Sequence, residues 1–253
     1  MSKELDIELA EAVLQGKFNE IEELLSLGAN VNSNAHNLQA SPIIIISGAN
    51  VVGWDEQAKI AQLLIKSGAD VNVRHPRSAD TPLIIAASQN KLPLVQLLIS
   101  ENADLSLKGK NGRTALHSAA AGGRAKVVQA LLNGGANVDM RDESGDTALH
   151  KAVCDFVNYE KDKVVATLLN AGADVNALND IGRSPLFQAI EYNDFNIVTT
   201  LLSAGADKNL TDHNGDSILD YVNHYASPKI ASIILTDRKP QKRSGLFGSL
   251  FSK

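Results

Sequence analysis

The sequence predicts an all-α solenoid of about seven repeats, and three observations carry that prediction. A short motif opening on Ser or Thr recurs at Ser41, Thr81, Thr114, Thr147, Ser184 and Ser217, with spacings of 40, 33, 33, 37 and 33 residues. A second motif, GAD or a close variant, stands at 28–30, 68–70, 102–104, 135–137, 172–174 and 205–207. Between repeats lie turn signatures, Asp142 to Gly145 and Asp212 to Gly215, with Asn179 to Gly182 as a variant. Two independent markers that keep nearly one period are the signature of a repeat array.

Each part of the repeat has a mechanical reason. Ser or Thr is a good N-cap, and Pro at the next position suits the first helical residue, as in SPIII, TPLII and SPLFQ. The Ala pairs 86–87 and 119–120 make a thin helix face that a neighbour can approach closely. The Leu-Leu pairs at 24–25, 63–64, 97–98, 131–132, 168–169 and 201–202 place an apolar stripe on a second helix. The glycine of GAD fits the left-handed residue that ends that helix. The D-x-x-G segments suit tight hairpins.

The expected boundaries are an N-terminal cap at 5–32, repeats at 33–72, 73–106, 107–139, 140–176 and 177–209, and a C-terminal cap at 210–235, together one domain over 1–235. A flexible basic tail is expected at 236–253. The first cap is acidic, with Glu4, Asp6, Glu8, Glu11, Glu20, Glu22 and Glu23 against Lys3 and Lys17, as suits a terminal repeat facing water. The last has Pro228 where its second helix should begin.

Composition narrows the function classes. The chain has 253 residues, 44% apolar and 21% charged, with net charge −5, so wholesale disorder is not expected and nucleic acid is a poor main partner. One cysteine, Cys154, excludes an internal disulfide and fits a reducing compartment. Apolar runs such as Ile43 to Ile46 are far too short for a bilayer, and the acidic start has no apolar h-region. A cytoplasmic, monomeric protein without cofactor or metal is expected.

The pattern DxxGxTALHxAxxxG…VVxxLLxxGAxV, read at 142–175 with an insertion, resembles the ankyrin-repeat family, and the best copy is Asn111 to Asp139. The likeness covers about residues 4 to 235. It implies a stack of helix–loop–helix units with β-hairpins projecting at one edge, and protein binding as the role. The family's usual contact surface, the hairpin tips and the exposed face of the first helix, maps onto Arg77, Asp80, Lys110, Asn111, Arg113, Glu143, Asp146, Asp155, Arg183, Glu191 and Tyr192. Basic residues gather near repeats 3 and 4, and repeat 5 is more acidic, a pattern that can steer a partner.

Two repeats exceed the period. Repeat 2 has extra residues around Asn50 to Gln57, including the only tryptophan, Trp54, and repeat 5 around Phe156 to Asp162. Either these aromatic-bearing loops anchor a partner, or Trp54 folds back over its own repeat. The tail, TDRKPQKRSGLFGSLFSK, joins a basic stretch to apolar residues Leu246, Phe247, Leu250 and Phe251 at helical spacing. Such a segment could touch an anionic membrane or a groove on a partner, or serve no docking role.

Enzyme chemistry has one weak candidate, the thiol–imidazole pair Cys154 and His150. The resemblance instead gives His150, and His117 one repeat earlier, the task of tying neighbouring hairpins. His213 and His224 lack metal-ligand spacing, and 109–112 lacks the frame of a phosphate loop. The leading expectation is therefore a non-catalytic scaffold binding another protein. The rivals are an inhibitor or immunity-type regulator of one enzyme, an enzyme using Cys154, and membrane recruitment through the tail.

Overall fold

A computed structural model describes residues 2–34, 39–50, 52–154 and 160–235. Among the described residues the chain forms fourteen α-helices: α1 (Ser2–Gln15), α2 (Phe18–Ser26), α3 (Pro42–Gly48), α4 (Trp54–Lys66), α5 (Pro82–Ser88), α6 (Leu92–Ser100), α7 (Ala115–Ala121), α8 (Ala125–Asn133), α9 (Ala148–Val153), α10 (Lys161–Asn170), α11 (Pro185–Glu191), α12 (Phe195–Ser203), α13 (Ile218–Tyr225) and α14 (Pro228–Leu235). They pair into antiparallel units, and the units stack. Each odd-numbered inner helix packs on the next odd one from α1 to α13, and each even-numbered outer helix on the next even one from α4 to α14. One contiguous core follows the stack.

The recurrent Ser or Thr stands at the N-cap of the inner helices α3, α5, α7, α9, α11 and α13. At Thr114 and Thr147 the cap is reciprocal. The hydroxyl oxygen faces His117 or His150 Nδ1 at 2.8 and 2.9 Å, and the backbone N–H of the Thr donates to the same nitrogen. Leu64, Leu98, Leu131, Leu168 and Leu201, each in a Leu-Leu pair, are fully buried. Gly68 ends α4 with φ +93, a conformation that costs a residue with Cβ. In repeat 3 the same place is held by Asn102 (φ 60), since Asn tolerates the left-handed region.

Two expectations need correction. The hairpins form no strand ladder among the described residues; only an isolated bridge joins Thr211 and Ser217. Each hairpin closes instead through a tight turn, as when Asp142 N–H donates to Asp146 O and Gly145 N–H to Asp142 O. Adjacent tips then lie so close that a Cβ on Gly145 would meet Asp180 Oδ1 at 2.2 Å. The extra length of repeat 2 is also partly helical rather than wholly loop. Outer helix α4 has 13 residues against 9 in α6, and Trp54 is its first residue. Of the corresponding insertion of repeat 5, residues 156–159 lie outside the described residues and Lys161 and Asp162 open α10; Asp155 and the tail also lie outside.

Candidate functional site

The hairpin tips are joined to one another in series. Glu143 N–H donates to Asn111 O at 3.1 Å, Asp180 N–H to Ser144 O at 3.0 Å, and His213 N–H to Ile181 O at 3.0 Å. Lys110 N–H donates to the Asp80 carboxylate at 2.9 Å. Behind the tips His117 Nε2 meets Asp146 O, and His150 Nε2 meets Arg183 O, each at 3.0 Å. Because Nδ1 accepts from the Thr N–H, Nε2 is the donor in both. The inner edge is therefore a cross-linked strip whose geometry exists before anything binds.

On this strip Arg77, Lys110, Asn111 and Glu143 are exposed, and Asp80, Arg113, Arg183, Glu191 and Tyr192 are half-buried. Asn111 turns its tip with φ 59. Trp54 does not fold back: it is 48% exposed, at the start of α4. Asp155 lies outside the described residues. Asp146 is displaced from the contact set. It is 7% exposed and its carboxylate is taken by Lys151 Nζ at 2.6 Å and Asn179 Nδ2 at 2.8 Å.

Lys151 also reaches Asp142 at 2.8 Å, so one ammonium bridges two carboxylates in the interior. Burial alone would raise the Asp142 carboxyl, but bonds from Lys151 and the Ser144 N–H outweigh it and hold the group below its usual range. Burial would lower Lys151, yet its two carboxylates hold it above its ordinary value. One repeat on, Arg183 lies 3.3 Å from Glu191, 3.4 Å from Asp212 and 4.9 Å from the Tyr221 ring centroid. Tyr221 packs edge-on against Phe187, and Tyr225 stands beside it, 51% exposed. Arg183, Asp216, Asp220, Tyr221, His224 and Tyr225 line a polar pocket of about 260 Å³.

At the other end of the strip the surface is apolar. Ile44, Ile45 and Ile85 on α3 and α5 line a groove of about 470 Å³ with Leu14, and His75 and Arg77 lie at its hairpin side. Sequence reasoning missed this groove. Its signal was the aliphatic run PIIII at 42–46, whose four isoleucines are all buried while Ile44 and Ile45 also border the groove. It also missed Lys91, which is fully buried at the start of α6 and donates to the carbonyls of Ser47, at 3.0 Å, and Ala49. Burial brings its ammonium down to about 8.

The catalytic candidate dissolves in this geometry. Both His150 nitrogens are engaged in the hairpin ties, and burial lowers its imidazole. Burial, with Asp146 nearby, pushes the Cys154 thiol up to about 11. The described residues contain no group of three or more His, Cys, Asp or Glu arranged to hold a metal ion. None of their helices is long and apolar enough to cross a membrane.

Comparison with known proteins agrees with the architecture. The family model of ankyrin repeats matches three overlapping stretches, residues 53–142, 83–179 and 126–212. The chain is 32% identical over 94 residues to ankyrin repeat and SOCS box protein 6 of Mus musculus, which is 37% of this chain and 21% of that protein. It is 33% identical over 106 residues to the ankyrin repeat and KH domain-containing protein mask of Drosophila melanogaster, 42% of this chain and 2% of that one. The chain thus spans about a fifth of the first of these relatives and about a fiftieth of the second. Among solved structures, the ankyrin repeat domain of Bcl-3, described as a unique member of the IkappaB protein family, superposes with a TM-score of 0.77 at 28% identity. That match covers 90% of this chain and 98% of the other. An ankyrin repeat domain from Acinetobacter baumannii AYE gives 0.71 at 29% identity, over 79% of this chain and 98% of that one.

Proposed function

Since the chain belongs to the ankyrin-repeat family, whose domains are generally protein–protein interaction modules, we propose that it is a non-catalytic scaffold that holds a partner protein along its inner strip. The observation that carries this reading is the serial bonding of the hairpin tips. A face already ordered before encounter spares the ordering cost that a loop would incur on binding. Arg77, Lys110, Asn111 and Glu143 contribute exposed polar contacts. The isoleucine groove takes an apolar anchor, and Arg113, Arg183, Glu191 and Tyr192 add half-buried contacts at the other repeats. Trp54 extends the contact beyond the strip. With His150 committed to structure and the thiol kept protonated, the protein performs no nucleophilic chemistry of its own. The free Cys154 and the absence of a second cysteine support placing it in a reducing, cytoplasmic setting.

The test is capture of the partner by the full chain and by two variants. Arg77→Ala with Lys110→Ala removes exposed side chains from two tips, and Ile85→Asp puts a charge in the groove. Both are expected to lose the captured partner, the tip variant while melting near the wild-type temperature and the groove variant, at a half-buried site, while melting lower but still cooperatively. Retention of the partner by both would contradict docking on the inner strip.

A further inference from the structure

The outer helices stack closely from α4 to α14, but α2 and α4 stand apart and make at most a marginal contact. The gap is a groove of about 580 Å³. Phe18, Ala58, Leu63 and Leu97 give it a largely apolar lining, with Glu22, Lys59 and Lys66 as its charges. Lys59 is paired with Glu56 at 3.3 Å. We propose that this groove receives residues 246–251 of a second copy of the chain, so that copies join head to tail.

Three observations select that occupant. The first is shape and polarity. Leu246, Phe247, Leu250 and Phe251 stand at the spacing of one helix side and so form an apolar set that matches the groove's lining of Phe18, Ala58, Leu63 and Leu97. The second is charge. The tail carries five Lys or Arg against one Asp, and residues 2–26, which form α1 and α2, carry seven Asp or Glu against two Lys. The inner isoleucine groove suits this tail less, because Arg77 lines it and no carboxylate does, whereas the outer groove offers Glu22 beside Lys66 and a Lys59 already paired with Glu56.

The third observation is reach. From Leu235 to Leu246 there are eleven residues, which span at most about 40 Å when fully extended. Five outer-helix steps separate α14 from α4, about 40–50 Å at ordinary helix spacing. The tail of the same copy would therefore touch the near wall at best, with no length left to lay four side chains across to α2. A second copy has no such limit. The contact uses different surfaces on the two copies, so it leaves one groove and one tail free and can propagate. The monomer expected from the sequence is then the dilute state only. This inference is independent of docking on the inner strip.

The test is sedimentation velocity of the full chain over a range of concentrations. The wild type should show a weight-average sedimentation coefficient that rises with concentration and falls back as salt is added. Phe247→Glu with Phe251→Glu should abolish the rise, as should Leu63→Glu in the groove. Glu22→Lys, an exposed change that cannot empty the core, should weaken association at least several-fold. Mixing the tail variant with the Leu63→Glu variant restores one good groove and one good tail, so the mixture should form a pair and stop there. A wild type that stays monomeric throughout would overturn the proposal. So would a tail variant that still associates, or a mixture that does not pair. If the tail change alters only binding to vesicles containing anionic lipid, the tail is a membrane element and the proposal is wrong. The inner-strip variants Arg77→Ala and Lys110→Ala should leave self-association unchanged, which separates failure here from failure of the scaffold reading.

Discussion

The two ends of the inner strip are built on one backbone plan and stabilised by different physics. Around α3 and α5 the inner helices meet through aliphatic area, and the surface left over is an isoleucine groove. Around α9, α11 and α13 charges are bridged instead: Lys151, at the place Ile85 takes in α5, is buried between Asp142 and Asp146, and half-buried Arg183 lies between Glu191 and Asp212. Apolar packing tolerates shifts in register, whereas a bridged ammonium has one arrangement that satisfies every partner. The comparison teaches that the repeat supplies the strip, and its departures divide it into an apolar and a polar half.

Breaking the polar half should have the largest effect. Lys151→Ala leaves two carboxylates buried without their cation, and a loss of about 3–5 kcal/mol is expected. Chemical denaturation of the full chain would measure it. The matching change in the apolar half, Ile85→Ala, empties a half-buried site only and should cost clearly less. Equal losses would erase the distinction between the halves.

Acid should act next. Burial lowers the imidazoles of His117 and His150, so the native state binds protons less readily than the unfolded chain. Their contribution is complete above the ordinary histidine value of about 6.5 and is lost as pH falls below it. Thermal melting should drop between pH 7 and pH 5, and His150→Gln should reduce that slope. The lowered carboxyls of Asp142 and Asp212 act in a separate and more acidic range, below their unfolded value of about 3.9.

Lys91 gives an effect of the same sign in the apolar half, at higher pH. Its ammonium is brought down to about 8 by burial, so the unfolded chain holds the extra proton between there and 10.5. Stability should rise with pH across that window and stay flat in Lys91→Met. The smallest expected change is Trp54→Ala: an exposed side chain should alter stability by no more than about 0.5 kcal/mol while reducing partner capture.

What the sequence made legible was local. The caps at Thr114 and Thr147, the glycine ends and the start of α14 at Pro228 each depend on a few neighbouring residues, while the histidine ties, which join one repeat to the next, followed from the family resemblance. What it hid depended on contacts between repeats. Asp146 reads as a hairpin residue open to solvent, and only the inward turn of Lys151 from the following helix buries it. Trp54 reads as a loop residue, but α4 begins one turn earlier than the other outer helices suggest. The outer groove is a place where stacking fails, and no motif marks a missing contact. Asn102 shows the reverse case, where an irregular residue in the motif still meets the backbone demand.

The proposed function depends on the inner strip being the docking face. Hydrogen exchange of the full chain, alone and with its captured partner, tests this most directly. Added protection should appear at the hairpin tips and the inner helices α5 to α11, with α6, α8 and α10 unchanged. Protection confined to those outer helices would contradict it.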